Sequence, residues 1–281
     1  MLKPIVKWAG GKRQLLSELI PLIEELRPRD STYVEPFVGG GAVLFKLQPI
    51  RALINDLNFD LINVYNVVRD HVEELISMLK IHEFNHCKEY FYMIRALDRS
   101  KHYGSMNNVE RAARIIYLNR TCYNGLYRVN ASGYFNVPFG RYVRPNIVNE
   151  ATLRAASTYL RNNDVTILNS DYRSLIDRLE SNSFVYFDPP YQPLSVSSSF
   201  TAYTDAGFDY ARQIELRDVC LGLMERNIPF VESNSDCEEI RELYKGFEVR
   251  TVQATRALNR DVCKRGAINE LMIYYRRRGG D

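Results

Sequence analysis

Strands alternate with helices at both ends of this chain, and the long stretch between is mainly helical. No other feature limits the fold as strongly. Near the start, "TYVEPF" and "ALIND" read as short buried strands separated by the glycine-rich turn "VGGGAVLF", whose tail begins a helix. Before them Leu15, Leu16, Leu19, Ile20, Ile23 and Leu26 recur at helical spacing, and Pro28 closes the segment. Towards the end "VTIL", "FVYFD", "IPFVESN", "FEVRTVQAT" and "NELMIYYRR" read as strands. Helices are expected between them near Tyr172–Leu179, Tyr210–Glu225 and Cys237–Leu243. Alternation of this kind predicts an α/β domain with a mostly parallel sheet and helices on both faces. From Asn58 to about Asn163 the pattern is helical, broken by "YRVNASGYFNVPFG", where strand-like runs flank Ala-Ser-Gly as in a β-hairpin. The middle therefore reads as an insertion, with residues 1–58 and 150–281 forming one domain and 59–149 the other.

With 281 residues and 46% hydrophobic content the chain can bury a full core. No run approaches the roughly 20 apolar residues of a membrane span, and "MLKPIVKWAGGKRQ" lacks the apolar core of a signal peptide, so a soluble cytoplasmic protein without membrane contact is expected. The five cysteines are far apart and never form C-x-x-C, which suggests neither a disulfide framework nor a zinc site; no metal is expected. Net charge is only +3, but the stretch from Arg111 to Arg161 holds eight arginines against one acid, Glu150, and alone carries +7. Arginine forks onto phosphates and guanine edges, and tyrosines and asparagines are interleaved here. A nucleic-acid surface is the expectation, against a solvated face with ion pairs to acids elsewhere.

The chemistry gathers at "SFVYFDPPYQPLS". A buried strand ends in Asp188, and Pro189 and Pro190 interrupt its ladder, because proline fixes φ and lacks an N–H. Carboxylate and carbonyl acceptors are thus left pointing out of the sheet, and Tyr191 adds a face for stacking. Such a set suits an amino group on an aromatic ring. Holding both amino hydrogens with the Asp188 side chain and the Pro189 carbonyl would favour a more tetrahedral nitrogen and restore its nucleophilicity.

Two further turns suit a ligand. Gly39, Gly40 and Gly41 let the backbone pass close to one, and Asp56, ending the second strand, is placed to accept from ribose hydroxyls. A dinucleotide fingerprint fails, since counting G-x-G-x-x-G from Gly39 lands on Leu44. "KWAGGK" sets an aromatic face, a flexible backbone and a positive charge ahead of a helix.

Taken in order, "KWAGGK", "VEPFVGGG", "NDLNFDLIN", "LNRTCYNGLYRVN", "FNVPFGRY", "DPPYQPLS" and "FTAYT" resemble the Dam-like DNA adenine-N6 methyltransferases over most of the chain. The resemblance implies a Rossmann-like sheet of the S-adenosylmethionine-dependent methyltransferase type, with a mainly helical target-recognition insertion that contains the hairpin. It implies S-adenosylmethionine as methyl donor, double-stranded DNA as substrate, and GATC as target, with no obligate protein partner evident. By similarity Trp8, Lys12, Phe37, Gly39, Gly41, Asp56 and Asp188 line the cofactor site, with Asp171 near its adenine. Asp188, Pro189, Pro190 and Tyr191 form the catalytic motif. Tyr123, Asn124, Leu126, Arg128 and Arg141 match DNA contacts, Arg128 the one that reads a guanine, and Lys7 is directed to the same site. The family pattern is departed from at Leu258, Asn259, Arg260 and Asp261 and at Thr121-Cys122. The same DPPY could serve the amino group of cytosine or an RNA adenine, and outside enzymes a DNA-binding module with a degenerate cofactor fold is the rival reading.

Overall fold

The computed structural model describes residues 2–8, 10, 12–192, 208–255 and 267–278. "FTAYT" and Leu258 to Asp261 lie outside the described residues. The chain falls into two compact units, one formed by Met1–Gly11, Val38–Ile50 and Asn55–Asn169, the other by Lys12–Phe37, Arg51–Ile54 and Ser170–Asp281.

The second unit carries the strands β1 (Thr32–Glu35), β2 (Arg51–Asn55), β4 (Ser183–Phe187), β5 (Phe230–Ser235), β6 (Glu248–Thr255) and β7 (Ala267–Tyr275) in the order β2-β1-β4-β5-β7-β6. The strand β3 (Asp164–Leu168) belongs to the first unit. Pairing is parallel from β2 through β5: Val34 faces Leu53 on one side and Val185 on the other, and Val185 faces Phe230. It turns antiparallel where β7 enters between β5 and β6, with Ser235 opposite Glu270 and Val252 opposite the same residue. β4 is buried at all five positions, as strands covered on both faces are, and its near-continuous apolar run reflects that.

The helix α1 (Leu16–Leu26) buries Leu19, Ile20, Leu22, Ile23 and Leu26 at the spacing read from the sequence, and ends where Arg27 donates its N–H to Ile23. Near Tyr172–Leu179 the helix is shorter than expected: α8 spans Arg173–Ile176 only. Arg226 explains the early stop, because its guanidinium donates to the carbonyls of Ile176 and Leu179 and replaces the amide donors a longer helix would need. The helix α9 (Tyr210–Glu225) starts on an Asp209 cap, and α10 (Glu238–Leu243) precedes β6.

The first unit is built from α2 (Ala42–Leu47), α3 (Phe59–Asp70), α4 (Val72–Phe84), α5 (Lys88–Ala96), α6 (Asn108–Thr121) and α7 (Glu150–Asn162). Caps written in the sequence start several of them: Asn58 accepts from Leu61, Asn149 from Thr152, and Asn107 with Glu110 forms a reciprocal capping box on α6. The α6 core is apolar on nearly every turn, with Ala112, Ile115, Ile116 and Leu118 buried. The hairpin is present in reduced form. Val129 bridges Phe135 antiparallel, the Asn130 N–H donates to the Tyr134 carbonyl, and the Asn130 side chain accepts from Ser132 and Tyr134 across the turn. Among the described residues no helix is long and apolar enough to cross a membrane.

Candidate active site and nucleic-acid interface

At the end of β4 the Lys12 ammonium meets Asp188 at 2.7 Å. Lys12 is buried, so this charge is matched in a place where an unmatched one would be costly. The same ammonium lies 4.3 Å from the centroid of the Tyr191 ring, close enough for a cation–π contact. Tyr191 in turn donates its hydroxyl to Glu270 on β7 at 2.7 Å. Burial pushes the Asp188 carboxyl up to about 6; Lys12 opposes the rise and the charge of Glu270 adds to it. Burial also pushes the Tyr191 phenol well up, as do the carboxylates of Asp188 and Glu270, so the ring stays neutral. The carbonyls beyond Asp188 are braced as well: Gln213 donates to Pro190 at 2.9 Å and Ser235 to Gln192 at 2.8 Å. This is a carboxylate poised near neutrality, beside a cation and an aromatic face.

Phe37, expected in the cofactor site, lies in the same unit and packs on Tyr172 (5.1 Å between centroids) and edge-on to Phe208 (5.8 Å). Asp171 is engaged by Arg173, whose Nε is 2.8 Å from one carboxylate oxygen and Nη2 3.0 Å from the other. That bonding holds its carboxyl below the usual range.

In the first unit, the glycine turn and Asp56 meet. Gly39 donates its N–H to one Asp56 oxygen at 3.1 Å, and Asn58 donates to the other at 2.9 Å. Burial raises this carboxyl, while the backbone amides of Asn58, Gly39 and Leu57 act against the rise. Gly41 opens α2 at φ 70°, and a Cβ there would stand 2.5 Å from the Tyr65 hydroxyl, which itself donates to the Gly39 carbonyl. Only glycine fits that position. Trp8 stacks on Tyr127 at 4.7 Å, so one face of its indole is spent on a protein partner.

Of the residues expected at DNA, Lys7 and the turn Tyr123–Gly125 meet at Asn119, which sequence reading missed. Fully buried, Asn119 accepts from the Lys7 N–H and donates to the carbonyls of both Lys7 and Gly125. It thereby ties Lys7 to the turn Tyr123–Gly125. Gly125 has φ 65°, and a Cβ there would meet Lys7 Cδ at 2.5 Å. Tyr123 is half exposed, Asn124 is in the left-handed region at φ 57°, and Leu126 accepts from the Cys122 thiol. Arg128 is exposed and its Nε is fixed by Asn136 at 2.7 Å, while among the described residues its two Nη groups take no partner. Arg141 is exposed, at φ 54°.

The arginine-rich stretch is only partly a surface. Arg114 is buried and paired with Asp98 at 2.8 Å; Arg120 donates to the Ile5 carbonyl; Arg111 donates to Tyr103 and Gly104; Arg154 is held by Glu73 and Glu150. The acids missing from the stretch come from α4 and from Asp98, so the eight arginines cannot be counted together as one binding face. Arg128, Arg141, Arg144 and Arg161 remain exposed within it.

The second unit carries a proline-stopped carboxylate, and the first carries a glycine turn and the turn Tyr123–Gly125. Residues 8–258 match the family model for D12 class N6 adenine-specific DNA methyltransferases, and the chain belongs to that family. It is an enzyme of the adenine-specific DNA methyltransferase class, with the mixed α/β, Rossmann-like fold of such enzymes. Its relatives include the Type II methyltransferase M1.LlaDCHI of Lactococcus lactis subsp. cremoris, 44% identical over 97% of this chain and 95% of that protein. The Type II methyltransferase M.MjaIII of Methanocaldococcus jannaschii is 42% identical over 96% of this chain and 98% of its own. The DNA adenine methylase of Escherichia coli is 35% identical over 98% and 95%. Family membership implies DNA as substrate and S-adenosylmethionine as methyl donor.

Proposed function

We propose that the enzyme methylates N6 of an adenine turned out of duplex DNA, within GATC, and that Asp188, Pro189, Pro190 and Tyr191 carry the reaction. The carrying observation is Asp188 at the end of β4, ion-paired at 2.7 Å and followed by two prolines and a braced tyrosine. Base rotation is required because an amino nitrogen inside the stack cannot be approached in line, and unstacking costs a few kcal/mol. The Asp188 carboxylate and the Pro189 carbonyl accept the two amino hydrogens, and Tyr191 stacks on the ring. As N6 takes the methyl group it becomes positive; the Asp188 carboxylate stabilises that charge until N6 loses a proton to solvent. Lys12 keeps Asp188 ionised against its burial. Holding reactants in this way can account for roughly 7–11 kcal/mol of barrier.

S-adenosylmethionine supplies a methyl group on a sulfonium leaving group. In the first unit the glycine turn supports it, admitting close approach at Gly39 and Gly41 beside the Asp56 carboxylate, which suits ribose hydroxyls; Trp8, Lys12 and Phe37 are assigned to it by resemblance. Asp171 is assigned to the adenine end by resemblance, with Arg173 as its companion. The segment 59–149 acts as the target-recognition domain. There Tyr123, Asn124, Leu126, Arg128 and Arg141 meet the duplex, joined by Lys7 from outside the segment, and Arg128 reads a guanine with the Nη pair that Asn136 leaves open. The GATC assignment rests on the likeness of this stretch to the Dam-like pattern.

The test is to incubate the purified enzyme and S-adenosylmethionine with unmodified genomic DNA and map N6-methyladenine at single-base resolution. Modification confined to GATC is expected. Another adenine motif would keep the chemistry and discard the assignment of Arg128, and methylcytosine alone would overturn the reading.

A further inference from the structure

The turn after β4 is held by a chain of buried amides that the reaction described above leaves unused. Two prolines deprive the turn of ladder donors, so its carbonyls must find partners elsewhere. Gln213, on the first turn of α9, donates from Nε2 to the Pro190 carbonyl at 2.9 Å. Its Oε1 accepts from Asn234 Nδ2 at 3.0 Å, and the same Nδ2 donates to Glu232 Oε1 at 3.0 Å. Asn234 Oδ1 accepts from the Ser235 N–H at 2.9 Å, and the Cys220 thiol donates to the other Glu232 oxygen at 3.6 Å. Gln213, Glu232 and Asn234 are each 0% exposed, so none of these groups has water to fall back on. The chain also fixes the Gln213 amide in one orientation. Turned over, it would set oxygen against the Pro190 carbonyl and NH2 against NH2.

We infer that Gln213 is a positioning residue for methyl transfer, acting through Pro190. Proline fixes φ at residues 189 and 190 and leaves ψ to be set by something else. A bond to the Pro190 carbonyl sets the plane of the peptide that joins Pro190 to Tyr191. That plane directs the Tyr191 ring on one side and, through the stiff proline pair, the aim of Asp188 and the Pro189 carbonyl on the other. Misplacement by about 1 Å can cost about a hundredfold in rate. The inference rests on the role proposed above for Asp188.

The experiment measures single-turnover methyl transfer by the full-length enzyme on a GATC duplex with S-adenosylmethionine saturating. Gln213→Met keeps the length of the side chain and removes its amide, and Gln213→Asn keeps the amide one methylene short. Circular dichroism establishes which of them is folded, and the folded one decides. Its rate constant is expected to fall about 10- to 100-fold with both dissociation constants within about twofold of wild type. A wild-type rate constant, or a loss confined to DNA affinity, would overturn the inference. Asp188→Ala run beside it separates the two claims: wild-type transfer by that variant sinks the reading of the site, whereas an inactive Asp188→Ala beside an unimpaired Gln213 variant sinks only this inference.

Discussion

Each unit of the molecule buries an ion pair, and the two are finished differently. In the first unit Arg114 meets Asp98 at 2.8 Å, with 2% and 8% of the side chains exposed. Its guanidinium also donates to the carbonyls of Ile94 and Arg95 and lies over the Tyr103 ring, while Asp98 accepts from Arg99 and from the Phe135 N–H. Both Asp98 oxygens and the Nε and Nη2 groups of Arg114 are thus engaged by protein. In the second unit Lys12 meets Asp188 with 6% and 20% exposed, and among the described residues Lys12 is the ion-pair partner recorded for that carboxylate. A pair closed in by protein partners serves the fold, whereas under the function proposed above the Asp188 carboxylate keeps capacity for a ligand. Asp188 bears the mark of that reserve, a carboxyl pushed up to about 6 by burial.

Removing the reserve should have the largest effect. Asp188→Ala is expected to lower turnover by about 10²–10³-fold or more, on the scale of losing one preorganised group at a transition state, with duplex affinity within a few-fold. A variant that retains a substantial fraction of turnover would remove Asp188 from the mechanism. The pH profile sharpens the point. Only the carboxylate works, so turnover should drop about tenfold per unit as pH falls below about 6. The folded carboxyl is raised above its ordinary value of 3.8, so between these values the folded state binds more protons than the unfolded state. Acid in that window therefore favours folding at this group, and loss of rate there is not loss of structure. A profile flat down to pH 5 would contradict this account.

The saturated pair should answer the opposite way. Arg114→Leu strands Asp98 among buried partners and is expected to cost about 3–5 kcal/mol in denaturant unfolding. A variant of unchanged stability but reduced turnover would make Arg114 a functional arginine after all. Smallest is Arg128→Ala, expected to cost roughly 1–3 kcal/mol of discrimination at one base pair in competition methylation assays. Uniform weakening across all sequences would make Arg128 a phosphate contact.

What the sequence made legible follows from the range of the forces involved. Local signals were readable: the prolines after Asp188, the glycine turn before α2, and the apolar runs of β4 and β1. Long-range pairing was not. In the expected strand "IPFVESN", Glu232, Ser233 and Asn234 are all buried, because their partners come from α9 and β4. Glu270, within the expected strand "NELMIYYRR", receives the Tyr191 hydroxyl from a distant part of the chain. The arginine stretch was correctly seen as short of acids, but Asp98 and Glu73 lie upstream of it in sequence, so the count alone could not show which charges were already matched.

The staple made by Asn119 has a consequence for synthesis. Ile5 and Lys7 leave the ribosome more than a hundred residues ahead of the side chains that bind them, Arg120 for the Ile5 carbonyl and Asn119 for both backbone groups of Lys7. Until α6 emerges, these backbone groups have no native side-chain partner and stay with water. Translation order makes Ile5 and Lys7 among the later residues to settle.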